Sequence, residues 1–287
     1  MSGPAIALVV CAAVLHATWN ALAKRAENQF AFLWSSVSLA TLLLLPIGLS
    51  RLAAERAPTT GLPFVAASVC IHALYFWALG RSYRYGDFSR VYPMARGLGV
   101  AVVPLIALPV FQERLSWLGS LGIGLVVLGI VALSRSPSVP RGSAGIGIGA
   151  GTVWAIVTGL TIASYSLVDK AGVARLHPMP YIALMGLGLS VVLSPIVLAD
   201  RRALVHEWRQ RWRTILVASA MNLTGYLLVL FAFRLSKVGY VVASRELSIL
   251  FSAFIGSLWL GEGRLAPRLA GASVVLAGVI CVAFARD

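Results

Sequence analysis

The stretch PVFQERLSWLGSLGIGLVVLGIVAL, residues 109–133, has a counterpart near the end of the chain, SLWLGEGRLAPRLAGASVVLAGVICVA, residues 257–283. Each reads as an apolar run, then a Glu, an Arg and a Leu, then a Gly-rich apolar helix. An arginine precedes the glutamate by 17 residues in both copies: Arg96 before Glu113, and Arg245 before Glu262. Further upstream, Arg81, Arg84 and Gly86 match Arg234, Lys237 and Gly239 at an offset of 153. The paired arginines are offset by 149, so the second copy is about one helical turn shorter in between. Near the start, Thr18-Trp19-Asn20 with Lys24 matches Ser164-Tyr165-Ser166 with Lys170 at an offset of 146. Three matches in one order point to an internal duplication.

The composition sets the medium. Of 287 residues, 59% are hydrophobic and 12% charged, with 24 Lys and Arg against 10 Asp and Glu. A soluble domain carries about 25% charged residues and needs them to coat its surface. Disorder is excluded by the abundance of apolar side chains. A β-barrel is excluded because the apolar runs are far longer than ten alternating residues. The expected class is an all-α polytopic membrane protein.

A bilayer core of about 30 Å takes roughly 20 apolar residues as helix. Uncharged runs near that length are 1–23, 29–50, 57–80, 115–134, 142–168, 176–199, 214–233 and 269–285. Two more are apolar but interrupted, 88–111 by Arg96 and 238–261 by Arg245 and Glu246. Ten transmembrane helices are therefore expected, with the interrupted ones fourth and ninth. Residues 135–143 form a Pro- and Ser-containing linker between a first unit, 1–134, and a second, 144–287. A five-span unit must enter the membrane from opposite sides in its two copies, which makes two inverted five-helix repeats.

The net charge of +14 lies in the loops, with its largest cluster at Arg201, Arg202, Arg209, Arg211 and Arg213. Such arginines serve topology and lipid headgroups, and no nucleic acid is expected. By the positive-inside rule both termini would lie outside, a count that rests on that one cluster. Cys11, Cys70 and Cys281 lie within apolar runs without metal spacing, so neither zinc nor a disulfide framework is expected.

The chain resembles the EamA-type ten-helix members of the drug/metabolite transporter superfamily. The resemblance is carried by LHATWNALAK (15–24), YRYGDFSRVYPMARG (83–97) and the junctions at Glu113 and Glu262. It implies a central cavity lined by both halves, alternating access, cytoplasmic termini and a place in the cell (inner) membrane. It leaves the substrate open, since such proteins move amino acids, sugars, nucleotide sugars and drugs. Small multidrug members of the superfamily bind cations and protons with a Glu in the first helix. Here that helix carries His16, Trp19 and Asn20 and no acid, so that chemistry does not carry over.

Charge at membrane depth is costly and marks candidate sites. Arg96 and Arg245 each lie about eight residues into their spans, which puts both near the midplane. Each either binds a carboxylate or phosphate or pairs structurally. Glu246 is read as the sole acid deep in a span. It would hold an ammonium or a proton, or pair with Arg96. Aromatic and amide faces supply candidate walls: His16, Trp19 and Asn20; Tyr92; Trp154, Thr158, Thr161 and Tyr165; Asn222 and Tyr226; and His72, Tyr75 and Phe76. The alternative for each is interhelical packing. A titrating histidine would add a coupling proton as a partner.

Glu113 and Glu262 are expected to serve the positive ends of the helices they precede, and the glycines of 118–130 to pack closely. No catalytic motif or nucleotide-binding loop is present, so no enzyme and no cofactor are expected. The expectation is a secondary transporter, monomeric in the bilayer, for a small anionic or zwitterionic metabolite, with amino acid export leading. An exporter of organic cations and a non-transporting receptor or scaffold are the alternatives.

Overall fold

A computed structural model of the chain describes residues 1–54, 59–85, 88–134, 149–258 and 265–285. The 135–143 connector and Glu262 lie outside them. The described residues form α1 (Gly3–Lys24), α2 (Gln29–Ala54), α3 (Leu62–Tyr85), α4 (Phe88–Phe111), α5 (Trp117–Ser134) and α6 (Ala150–Val173). The second half continues with α7 (Pro178–Leu198), α8 (Arg201–Leu235), α9 (Val238–Arg245), α10 (Leu247–Leu258) and α11 (Leu265–Phe284). No strand occurs among the described residues. Seven of these helices are long and apolar enough to cross a membrane.

The bundle is apolar outside. Leu42, Leu105, Leu128, Val191, Trp117 and Phe284 are all exposed. Water would penalise so continuous an apolar surface, whereas lipid tails accept it. Inside lie Arg96, Asp169, Arg245 and Glu246, each under a tenth exposed.

Helix pairing follows small residues. A Cβ on Gly122 would lie 2.6 Å from the Gly278 carbonyl oxygen, and one on Gly278 would meet the Gly122 carbonyl at the same 2.6 Å. Gly129 and Gly271 approach each other likewise. α5 and α11 therefore run antiparallel with their backbones in contact, as small residues permit in a bilayer. Gly119 packs on Tyr240, while Gly124 meets nothing and faces outward. α2 and α7 are also antiparallel: Trp34 Nε1 donates to the Ser190 carbonyl at 2.9 Å, and Gly186 abuts Thr41. α1 packs on α8 and α3 on α6. α2 also packs on α8 and α3 on α7, while α4 packs on α6 and α1 on α10.

Three sequence expectations are corrected. The arginine cluster 201–213 is not a loop: Asp200 caps Ala203 N at 3.0 Å and the helix runs 35 residues through it, bent at Arg211 (φ −133°, ψ 20°). Its buried Glu207 accepts Asn28 N at 2.7 Å and Trp208 Nε1 donates to Ser35 Oγ, which fastens the segment to the α1–α2 junction. The expected ninth span is two helices, with the turn at Glu246, and every residue of α9 is buried. Glu113 does not serve α5. Both its carboxylate oxygens accept Val238 N at 3.0 Å, at the start of α9. Lys170 lies 3.8 Å from the same carboxylate and donates to the Phe233 and Ser236 carbonyls that end α8.

Candidate functional site

A cavity of about 180 Å³ opens between α1, α2, α3, α4, α6, α7, α8 and α9. α1 contributes His16, Trp19 and Asn20; α3 contributes His72, Tyr75 and Phe76; α4 contributes Tyr92 and Arg96. From the second half come Tyr165 of α6, Asn222 and Tyr226 of α8, and Arg245 at the end of α9. Apolar side chains of α2 and α7, among them Leu44, Met185 and Leu189, close the remaining sides. The i, i+3, i+4 spacing on α1 and α3 is what turns these side chains to one wall.

The rings form a packed lining. His16 meets Trp19 edge-on at 5.4 Å, Tyr75 meets Tyr165 at 5.7 Å, and His72 stacks on Tyr165 at 4.3 Å. Such rings offer faces to an apolar or aromatic solute. Asn20 Nδ2 donates to the His16 carbonyl at 2.7 Å, leaving its carbonyl oxygen as an acceptor.

The two arginines differ. Arg96 is held by Glu246, Nη2 to Oε1 at 2.7 Å and Nε to Oε2 at 3.0 Å, with both side chains buried. Arg245 makes no hydrogen bond or ion pair with the described residues. Its guanidinium carbon lies 5.8 Å from the centre of the Tyr226 ring, and its side chain reaches the cavity. A cation in this position offers five donors to a bound acid.

Four sequence candidates stand apart from the cavity: Glu246, Trp154, Thr158 and Thr161. Glu246 lies behind its wall, satisfied by Arg96. Trp154 sits edge-on to the exposed Trp77 at 4.7 Å, while Thr158 and Thr161 bond to carbonyls of their own helix.

Asp169 was missed, and with it the statement that Glu246 is the sole deep acid fails. Asp169 is fully buried and accepts Ser68 Oγ at 2.6 Å and Tyr181 OH at 2.7 Å on Oδ1, and Tyr226 OH on Oδ2. A signal was present. Trp154, Thr158, Thr161 and Tyr165 step by 4, 3 and 4, and one more step of 4 reaches Asp169. Its neighbour Lys170 made it look like a helix-end charge.

Comparisons with known proteins bear on the family and the fold. The model of a family described as EamA-like transporters matches residues 149–284. The nicotine metabolites export pump subunit NepA of Paenarthrobacter nicotinovorans is 32% identical over 102 residues, which span 32% of this chain and 88% of that one. A crystal structure superposes with a TM-score of 0.73 at 16% identity, covering 99% of this chain and 97% of the other, a likeness of fold.

Proposed function

The chain belongs to the EamA-like transporter family of the drug/metabolite transporter superfamily, and from that premise we propose a secondary carrier exporting a small anionic or zwitterionic metabolite, with amino acids leading. The single observation behind the substrate class is Arg245. It is the cavity cation with no acid bound to it among the described residues, set against aromatic walls. A carboxylate would take the guanidinium fork, and a side chain would lie among Tyr75, Tyr165 and Tyr226. The relative's name, an export pump subunit, supports the outward direction.

Alternating access would follow from two inverted five-helix units, 1–134 and 144–287, each one rocking against the other in the cell membrane. Counting α9 and α10 as one broken span gives ten crossings. The packing supports this reading, because it keeps its form when each span is exchanged with the one five places on. α1 on α8 becomes α6 on α3, and α2 on α8 becomes α7 on α3. Gly122 and Gly129 correspond to Gly271 and Gly278 at an offset of 149, and each touches the other's counterpart. The relative fits the same picture, since it is much shorter than this chain and 88% of it is matched.

Thermal unfolding of the purified protein with free amino acids, and with their methyl esters, tests the substrate class. The esters keep the ammonium and the side chain but lose the carboxylate. Stabilisation by the acids alone supports the proposal. Stabilisation by the esters and not the acids would instead indicate an organic-cation carrier.

A further inference from the structure

The buried carboxylate of Asp169 has three hydroxyl partners but no ion pair among the described residues. Its sequence neighbour Lys170 turns away to the end of α8. An anion at such depth requires a compensating charge. Arg96 and Glu246 cancel each other, so among the described residues of the cavity the cation left to balance Asp169 is Arg245. The two are joined through one side chain: the Tyr226 hydroxyl donates to Asp169 while the Tyr226 ring faces the Arg245 guanidinium.

His72 completes the group. Its Nδ1 lies 2.9 Å from the Ser68 carbonyl oxygen, which can only accept, so Nδ1 carries the hydrogen. Nε2 then presents a lone pair to the Tyr226 oxygen at 3.4 Å, and that oxygen already donates its own hydrogen to Asp169. Two lone pairs face each other, which leaves room for one proton. A proton on Nε2 would complete the chain from Nε2–H to the Tyr226 oxygen and from the Tyr226 O–H to Oδ2 of Asp169. His72 and Tyr226 line the cavity, so the proton has a route from water.

We propose that Ser68, His72, Asp169 and Tyr226 form a proton-binding site linked to Arg245, so that one proton is taken up with each bound carboxylate that carries no ammonium of its own. This rests on the carboxylate reading of Arg245. In the empty cavity Arg245 balances Asp169. A bound carboxylate neutralises Arg245 and leaves Asp169 uncompensated, and a proton on the His72–Asp169 pair restores neutrality. The pair binds that proton as a unit. The linkage is reciprocal, so the proton also tightens the carboxylate.

The other ionisable side chains around the group do not supply the balance. His16 on α1 packs on Trp19 rather than on Asp169, and Tyr75 on α3, Tyr92 on α4, Tyr165 on α6 and Tyr181 on α7 are phenols, which carry no charge near neutral pH. Arg96 on α4 is neutralised by Glu246, and the cavity-lining residues of α2 carry no ionisable side chain.

Calorimetric titration of the full-length protein in detergent with phenylacetate, in two buffers of different ionisation enthalpy, counts the protons. Wild type should take up close to one proton per phenylacetate, and its Kd should weaken about tenfold per pH unit once the pair has deprotonated. Asp169→Asn should bind phenylacetate without proton uptake and with a flat pH profile. Tyr226→Phe, which keeps the ring over Arg245 but cuts the bridge, should also lose the uptake. Wild-type binding with no proton, or full uptake in Asp169→Asn, overturns this inference alone. Failure of wild type to bind phenylacetate counts against the carboxylate reading and the inference together.

Discussion

Arg96 and Glu246 meet at two points, Nη2 to Oε1 at 2.7 Å and Nε to Oε2 at 3.0 Å, across a separation of 150 residues. The contact ties α4 to the turn between α9 and α10, and so holds the backbone on which Arg245 is carried. In the proposed function Arg96 is thereby a positioning residue, and Arg245 is the one that meets a solute.

Breaking that pair from one side leaves a buried charge alone. Arg96→Met or Glu246→Leu singly should destabilise by about 3–5 kcal/mol, whereas the double replacement should recover most of the loss. Thermal melting in detergent of the three variants checks the order. A double variant no more stable than either single one would mean the pair is not an isolated unit.

Substitutions on α5 should separate by face. Gly122→Ala places a Cβ 2.6 Å from the Gly278 carbonyl oxygen and should cost about 1–3 kcal/mol. Gly124→Ala meets nothing within 4 Å and should be neutral or gain up to about 1 kcal/mol from helix propensity. The difference in melting temperature between the two variants reads this out.

The start of α9 depends on a residue far away in sequence. Glu113→Ala leaves Val238 N without its acceptor and should cost about 0.5–2 kcal/mol, the usual loss for a helix cap. Glu113→Gln keeps one acceptor and should cost less. Equal melting temperatures for Ala and Gln would show that the carboxylate serves Lys170 rather than α9.

Much of this was legible in the sequence, for identifiable reasons. Apolar run length located the helices, because a backbone in lipid must satisfy its own hydrogen bonds. The depth of Arg96 and Arg245 singled them out, and both reach the cavity. What was not legible depends on partners distant in sequence. Run length cannot show that Glu246 interrupts a helix, since α9 ends on a turn of ordinary backbone angles (φ −68°, ψ −7°). Arginines at 201–213 read as a loop because charge outweighs periodicity, yet a single buried face at Glu207 and Trp208 suffices to dock that helix. Asp169 lies beside a helix-end lysine, and only the opposing Ser68, Tyr181 and Tyr226 show that it turns inward.

The central claim is that Arg245 receives the carboxylate of a transported solute. A charge-assisted bond of this kind is worth about 1.5–3 kcal/mol, or roughly ten- to a hundredfold in affinity. Counterflow of labelled phenylalanine in proteoliposomes, compared among wild type, Arg96→Ala and Arg245→Ala, tests it most directly. The account predicts flux in wild type, a loss of at least about tenfold in Arg245→Ala, and a loss in Arg96→Ala that follows its reduced thermal stability. Flux at the wild-type rate in both variants would contradict it.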